Sequence, residues 1–310
     1  MTTTDTPQLG LPAVDGAEEQ PGDIRLWSVT TIIGILHKEG LLYWSAEKAA
    51  EAAVDVRASL AQRVEEDGHD TVVKWLRDAR FRKAKGRLSD TALGAVAHEA
   101  AEQYALTGKR PTSPDLAAMV LREGGPNFGG TTDEVAVLNR MLDRFDGWLQ
   151  RFTPSYQATE VVVYSPTYGY AGTADAFLTI DGVRLIIDYK SSRTGFDARG
   201  KAKTPYPESA LQLAAYRHAE AAAVWRARRM EQFRRRYYLL GDAERDKAVP
   251  VPEVDGGAVI HLTPDHCEIF PVRCDEVVHE SFLYVQEAAR WQLELARDVI
   301  GQPMIHGGAS

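Results

Sequence analysis

The sequence predicts an α/β fold: a small, mostly antiparallel mixed β-sheet flanked by helices, with a helical wall supplied by the N-terminal part. Three observations predict it. Two apolar, β-prone runs, 172–180 and 183–187, are separated by Asp181-Gly182, the two-residue signal of a tight hairpin. A second hairpin is written at 257–262 and 267–272, across Thr263-Pro264-Asp265-His266. Long stretches of helical period stand before and after these strands.

In chain order, residues 1–23 are rich in Thr, Pro, Gly and acids, which predicts a disordered tail. Residues 27–36 are the first apolar segment, where Ser28 or Thr30 suits a helix cap. An alanine-rich helix is predicted over 41–66 and another over 71–85. The second ends in a basic cluster, Arg80, Arg82, Lys83, Lys85 and Arg87, which reads either as a phosphate-contacting edge or as a solvated face. Ser89 or Asp90 caps a helix running to about residue 106. Gly94, His98 and Glu102 recur every four residues and share one of its faces.

Residues 107–130 read as a glycine- and proline-containing loop around a short helix at 116–121. Thr131-x-x-Glu134 has the form of a capping box, opening a helix with the apolar stripe Val135, Leu138, Leu142, Phe145 and Leu149. A strand over 157–165 carries Glu160, an acid that points either to solvent or toward a site. Gly172 marks a bulge or a close approach of another backbone, DNA included.

Beyond the first hairpin, 194–206 is a polar loop with Lys201 and Lys203, of the kind that guides substrate beside an active site. Pro207 suits the first turn of a helix bearing Gln212 and Tyr216. That helix could continue to 236 through Arg226, Arg228, Arg229, Arg234 and Arg235, as a DNA-facing or a solvated surface. Residues 237–240 form a short strand or the helix end, and 242–255 a charged loop. A last amphipathic helix covers 275–300, and 301–310 reads as a tail. One domain is expected over 24–300.

Composition narrows the function classes. The chain has 310 residues, 44% hydrophobic and 26% charged, with a net charge of -8. That balance argues against a DNA-coating role, although an enzyme with a local basic groove fits it. No apolar run approaches the ~20 residues of a membrane span. No basic-then-apolar leader is seen at the N-terminus, so a cytosolic (cytoplasmic) protein with no membrane partner is expected. There is no Gly-x-x-x-x-Gly-Lys-Ser/Thr phosphate loop, hence no motor, and no Gly-x-Ser-x-Gly elbow.

The chemistry concentrates at the first hairpin. Folding back at Asp181-Gly182 brings Asp175 toward Asp188, and Lys190, two residues on, shares the face of Asp188. Two close carboxylates repel unless a cation intervenes. Hard oxygen ligands favour Mg2+ or Mn2+. The lysine suits two tasks: orienting or deprotonating a water, and neutralising charge that develops on a phosphate. Ser191, Ser192 and Arg193 suit phosphate contacts, and equally an ordinary strand end. His261 and His266 lack metal-ligand spacing, and neither is expected to ligate.

A Gly-Thr-x-Asp strand ending on Asp175, a hairpin, Asp188-x-Lys190 and then Gln212-x-x-x-Tyr216 together resemble the PD-(D/E)XK nucleases, in particular their RecB-type exonuclease branch. The resemblance runs from about residue 29 to 291. It implies a restriction-endonuclease-like core and a metal-dependent DNA exonuclease of phage or bacterial recombination or repair. The Gly94-x-x-x-His98 helix resembles the one that precedes the carboxylate strands in that branch, so His98 is implied as a metal ligand. Asp175, Asp188 and the backbone carbonyl of Tyr189 are implied beside it, with Lys190 and Gln212 catalytic and Tyr216 at the substrate.

Many relatives carry a four-cysteine iron–sulfur cluster. With only Cys267 and Cys274, this chain cannot build one. The implied partners are linear duplex or single-stranded DNA and, by analogy, a recombination or single-strand-annealing protein. The oligomeric state stays open. The competing reading is a binding module that keeps the fold without cleaving.

Overall fold

The computed structural model describes residues 22–36, 39–81, 86–197, 199–223, 237–241 and 248–301. The expected N-terminal tail up to residue 21, basic residues Arg82, Lys83 and Lys85, the arginine-rich stretch 224–236 and the final residues 302–310 lie outside the described residues.

The chain opens with β1 (Ile24–Ser28) and a short helix α1 (Val29–Ile33). Helices α2 (Glu39–Asp55), α3 (Leu60–Asp67) and α4 (His69–Arg77) follow, then α5 (Asp90–Thr107), α6 (Ser113–Gly124) and α7 (Thr131–Phe152). Three strands come next: β2 (Ser155–Ser165), β3 (Tyr170–Ile180) and β4 (Val183–Ser191). The order then runs α8 (Glu208–Arg217), β5 (Ala221–Ala223), β6 (Tyr237–Leu240), β7 (Ala248–Val249), β8 (Gly256–Leu262), β9 (Cys267–Val272) and α9 (Glu276–Leu293).

Seven strands form one path, β7-β5-β2-β3-β4-β8-β9, and β1 joins β3 and β6 beside it. The sheet is mixed: β4 pairs parallel with β8 and β1 parallel with β3, and the remaining pairs are antiparallel. Strands β3 and β4 lie in the middle and are covered on both faces, so their interiors read as nearly continuous apolar runs. Leu178, Ile187 and Ile260 pack on one layer with Val96, Ala100, Leu138 and Phe145. Phe177, Ile186 and Val259 pack on the other with Ile32, Leu213 and Phe282. Alternation along each strand thus sends successive side chains to opposite helical layers. Among the described residues no helix is long and apolar enough to cross a membrane.

The β3–β4 turn has the predicted chemistry. Asp181 (φ 49°) and Gly182 (φ 83°) both sit in the left-handed region that a two-residue hairpin turn demands. Strand β6 resolves the open choice at 237–240 in favour of a strand.

Several local expectations are corrected. The single helix predicted over 41–66 is two, interrupted at residues 56–59, and the helix predicted over 71–85 ends at Arg77 in a short 3-10 turn. Ser28 occupies the cap of α1, but its hydroxyl pairs with Thr30 rather than with the helix backbone. The loop around 107–130 contains a longer helix than expected. α6 begins with its own capping box, Thr112 with Asp115, and has Pro114 in its first turn.

Thr131-x-x-Glu134 is not a capping box. The cap of α7 is Gly130, and Glu134 reaches away to accept from the Leu88 backbone N–H at 2.9 Å. Gly130 is required there, because a Cβ would stand 1.6 Å from the Gly86 carbonyl oxygen. With the backbone of Gly86 pressed so closely against the start of α7, the Glu134 carboxylate is drawn across that junction instead of back along its own helix.

Candidate active site

The β3–β4 ladder runs from Ile180–Val183 to Ala176–Ile187 and stops there. Beyond that point β3 continues beside β1 and β2, while β4 continues beside β8. The two strands part like a fork, and Asp175 and Asp188 are the first residues past the last pair. Each strand needs a new partner at this point, and the gap leaves backbone N–H groups for side chains to satisfy. Asp175 takes one, accepting from the Tyr189 N–H at 2.6 Å.

On β4, Asp188 and Lys190 share a face, as strand geometry requires. Lys190 Nζ donates to Asp188 Oδ1 at 2.7 Å and to Gln212 Oε1 at 3.2 Å. Gln212 Nε2 donates to the same Asp188 oxygen at 2.9 Å and stands 3.3 Å from the Tyr216 hydroxyl. Helix α8 therefore holds the carboxylate and the ammonium through one amide that serves as donor and acceptor at once.

The electrostatics are strained by burial. Asp188 is 2% exposed. Loss of hydration is the main cause that raises its pKa to about 6, with the Asp175 charge adding to it and Lys190 opposing it. Burial likewise raises Asp175 to about 6, against the pull of Lys190 and the Tyr189 N–H, with Glu102 adding a like charge. His98 on α5 faces the fork, its ring 5.9 Å from that of Tyr189. Burial lowers its pKa to about 4, so at neutral pH it carries a free lone pair.

The PD-(D/E)XK nuclease superfamily model matches residues 43–304, most of the chain. The chain belongs to the PD-(D/E)XK nuclease superfamily. No curated protein matches it. The solved structure of SSO0001 aligns over 78% of this chain and 87% of its own at 16% identity. Its TM-score is 0.27, too low to carry any argument here.

Nucleases of this superfamily generally use divalent cations, and the residues at the fork suit one. Among the buried polar atoms without a hydrogen-bond partner, two lie at the fork, His98 Nε2 and Asp188 Oδ2. Buried orphans of this kind are costly, and an imidazole nitrogen with a carboxylate oxygen is a donor pair for a hard or borderline cation. Among the described residues, however, no three His, Cys, Asp or Glu side chains are gathered as a finished cage. Asp175 is turned onto the Tyr189 N–H.

The other expected residues are placed as follows. Tyr189 buries its side chain, with its hydroxyl 2.6 Å from that of Tyr156. Ser191 Oγ lies against Gly94, where a Cβ would come to 3.0 Å, so that glycine lets α5 rest on the end of β4. Ser192 Oγ donates to the Thr194 carbonyl at 2.8 Å and lies 3.3 Å from His261 Nε2. Glu160 is an exposed strand residue with φ 49°.

Three expectations are corrected. Tyr216, expected at the substrate, is 2% exposed and lies behind Gln212. The close neighbour of Gly172 is this same tyrosine, not another backbone or DNA: a Cβ at Gly172 would stand 2.3 Å from Tyr216 Cε1. Gly172→Ala is expected to push the ring, and Gln212 with it, off the Asp188–Lys190 pair. Catalytic rate should fall at least about tenfold with only a small loss of melting temperature. Steady-state rates beside a thermal melt check it.

Arg193, expected on a phosphate, is turned inward. Its guanidinium binds both oxygens of Glu134 at 2.9 Å, the Leu88 carbonyl at 2.7 Å and Asp90 at 3.2 Å. The side chains of Arg193 and Glu134 are 10% and 2% exposed. This clasp ties the end of β4 to the start of α5, which carries His98, and to the first turn of α7. Sequence reasoning missed Glu134 because its partner is 59 residues away and nothing local announces it.

Proposed function

We propose that this chain is a divalent-metal-dependent deoxyribonuclease that works as an exonuclease, removing nucleotides from DNA ends. The observation that carries the reading is the strand fork. There a buried carboxylate, a half-buried one, a lysine hydrogen-bonded to the first and two orphaned ligand atoms meet at one place. His98, Asp175, Asp188 and the Tyr189 carbonyl are the groups assigned to hold Mg2+ or Mn2+. When bound, the cation supplies Lewis-acid polarisation of the phosphate and an acidified water.

The chain's own residues do the rest. Asp188 Oδ1 and Gln212 Oε1 hold the Lys190 ammonium in place, where it orients the attacking water and balances charge growing on the phosphate oxygens. Gln212 keeps Asp188 in one rotamer, so its second oxygen stays aimed at the ligand position. His98 is neutral and ready to coordinate without first losing a proton. A role in phage or bacterial DNA recombination or repair, beside a strand-annealing protein, belongs to the same reading and rests on the resemblance to the RecB-type branch.

The test is a digestion time course on 5′- and 3′-labelled duplexes and single strands with Mg2+, Mn2+ or chelator. Label should be lost progressively from one end with either metal, and chelator should stop it. Cleavage of a closed circle would move the reading to an endonuclease. Intact substrates throughout would overturn it.

A further inference from the structure

The segment between β4 and α8 is built more firmly than a loop needs to be. Phe196 and Ala202 form an antiparallel bridge. Around it, the Asp197 N–H donates to the Lys201 carbonyl and the Lys203 N–H to the Gly195 carbonyl, both at 2.8 Å. The Asp197 carboxylate accepts from the backbone N–H groups of Arg199 and Lys201 at 2.9 Å, and Gly200 takes the positive φ of 75° that closes the turn. The base is fastened to the β8–β9 turn: the Gly195 N–H donates to Asp265 Oδ2 at 2.7 Å. Gly195 also admits the His266 ring, since a Cβ there would stand 2.5 Å from its Cε1.

The described residues of this hairpin present an unusual surface. Phe196 is 48% exposed, with its ring edge-to-face on His266 at 5.9 Å, so one aromatic face is offered to solvent in a fixed orientation. Arg199 and Lys201 are exposed, and among the described residues their charged ends make no hydrogen bond or ion pair. The one acid of the hairpin, Asp197, is committed to the turn. In a chain of net charge -8, a cationic tip beside an aromatic face is out of character.

It also stands beside the fork. Lys190 pairs in register with His261, whose ring contacts that of His266, the residue that carries Phe196. Phe196 is thus linked to the Lys190 strand through two histidine rings.

We propose that this hairpin is the single-strand contact of the site, with Phe196 stacking an unpaired base and Arg199 and Lys201 taking the flanking phosphates. The inference rests on the nuclease reading above and names its substrate class. An exposed ring needs a bare base face, which paired and stacked DNA does not offer, whereas cations on the backbone serve any polyanion.

The experiment uses the full chain with chelator present, so that nothing is cut. Binding of a labelled single-stranded oligonucleotide and of a blunt duplex is followed by anisotropy. A 2-aminopurine placed along the single strand reports stacking. Phe196→Ala should weaken single-strand binding about tenfold, abolish the 2-aminopurine quenching and leave duplex binding within about twofold. Phe196→Trp should restore both signals, which separates stacking from any loss of fold. Lys201→Ala should weaken both substrates and reduce the salt slope by about one.

Unchanged single-strand affinity in Phe196→Ala, or equal losses on strand and duplex, would overturn the assignment even if wild-type protein cleaves DNA. Wild-type protein that binds single strands through Phe196 but cleaves nothing with Mg2+ or Mn2+ would remove the nuclease reading and leave the hairpin standing.

Discussion

Asp188→Asn is expected to abolish cleavage, by about a thousandfold or more, and at the same time to make the metal-free protein more stable. The substitution keeps the shape and the oxygen that Lys190 and Gln212 bind. It removes one charge from a buried place where two carboxylates face a single ammonium, and where burial is the main force against ionisation. Removing a charge whose burial outweighs its pairing, as the raised pKa of Asp188 indicates, stabilises by about 1 kcal/mol or more, which raises the melting temperature by roughly 2 °C or more in a chain of this size. The amide cannot replace the anionic oxygen now aimed at the ligand position. Mn2+ should therefore raise the melting temperature of the wild type and not of the variant. Thermal melts with and without Mn2+, beside cleavage rates, check all three parts. A variant that melts lower than wild type without metal would show that the fork carries no electrostatic strain.

The second large effect is expected at Arg193. Arg193→Ala leaves the Glu134 carboxylate buried with only the Leu88 N–H to answer it, and strips the Leu88 carbonyl of its donor. Breaking a buried pair in this way costs about 3–5 kcal/mol, more than removing both partners together. The double variant Arg193→Ala with Glu134→Gln should therefore recover part of the loss, because it removes the stranded charge as well. Urea unfolding of the two variants and the wild type measures it. Equal losses in the single and double variants would mean that the clasp contributes packing and little electrostatics.

The sequence carried the centre of this molecule plainly and its periphery poorly. Asp181-Gly182 announced a turn whose both residues need positive φ, and the apolar runs on either side fixed which strands meet. Asp175, Asp188 and Lys190 could be named because the hairpin and the strand period place them without knowledge of any distant contact, whereas Gln212 was named only through the resemblance to the PD-(D/E)XK nucleases. Where a side chain's role depends on a partner far along the chain, the local pattern pointed elsewhere. Thr131-x-x-Glu134 has the letters of a capping box, but the Gly86–Gly130 contact and Arg193 draw the glutamate across the junction. Arg193 beside two serines has the letters of a phosphate grip, yet the same contact turns it inward. Gly172 pointed to a bulge or to another backbone, whereas the close neighbour is the Tyr216 ring, which lies 44 residues on. The hairpin at 194–203 was legible as a polar loop, while its Phe196–Ala202 bridge depends on the distant Asp265 and His266.

The bond from Arg193 to the Leu88 carbonyl spans 105 residues. On a ribosome, α5, α6 and α7 are therefore finished long before the cation that fastens them has been synthesised, and Glu134 has no counter-charge to be buried with until β4 is out. Contacts of such separation form late. The helical layer that presents His98 is fastened to the end of β4 only once Arg193 has been made, so a nascent chain stopped short of Arg193 lacks that tie.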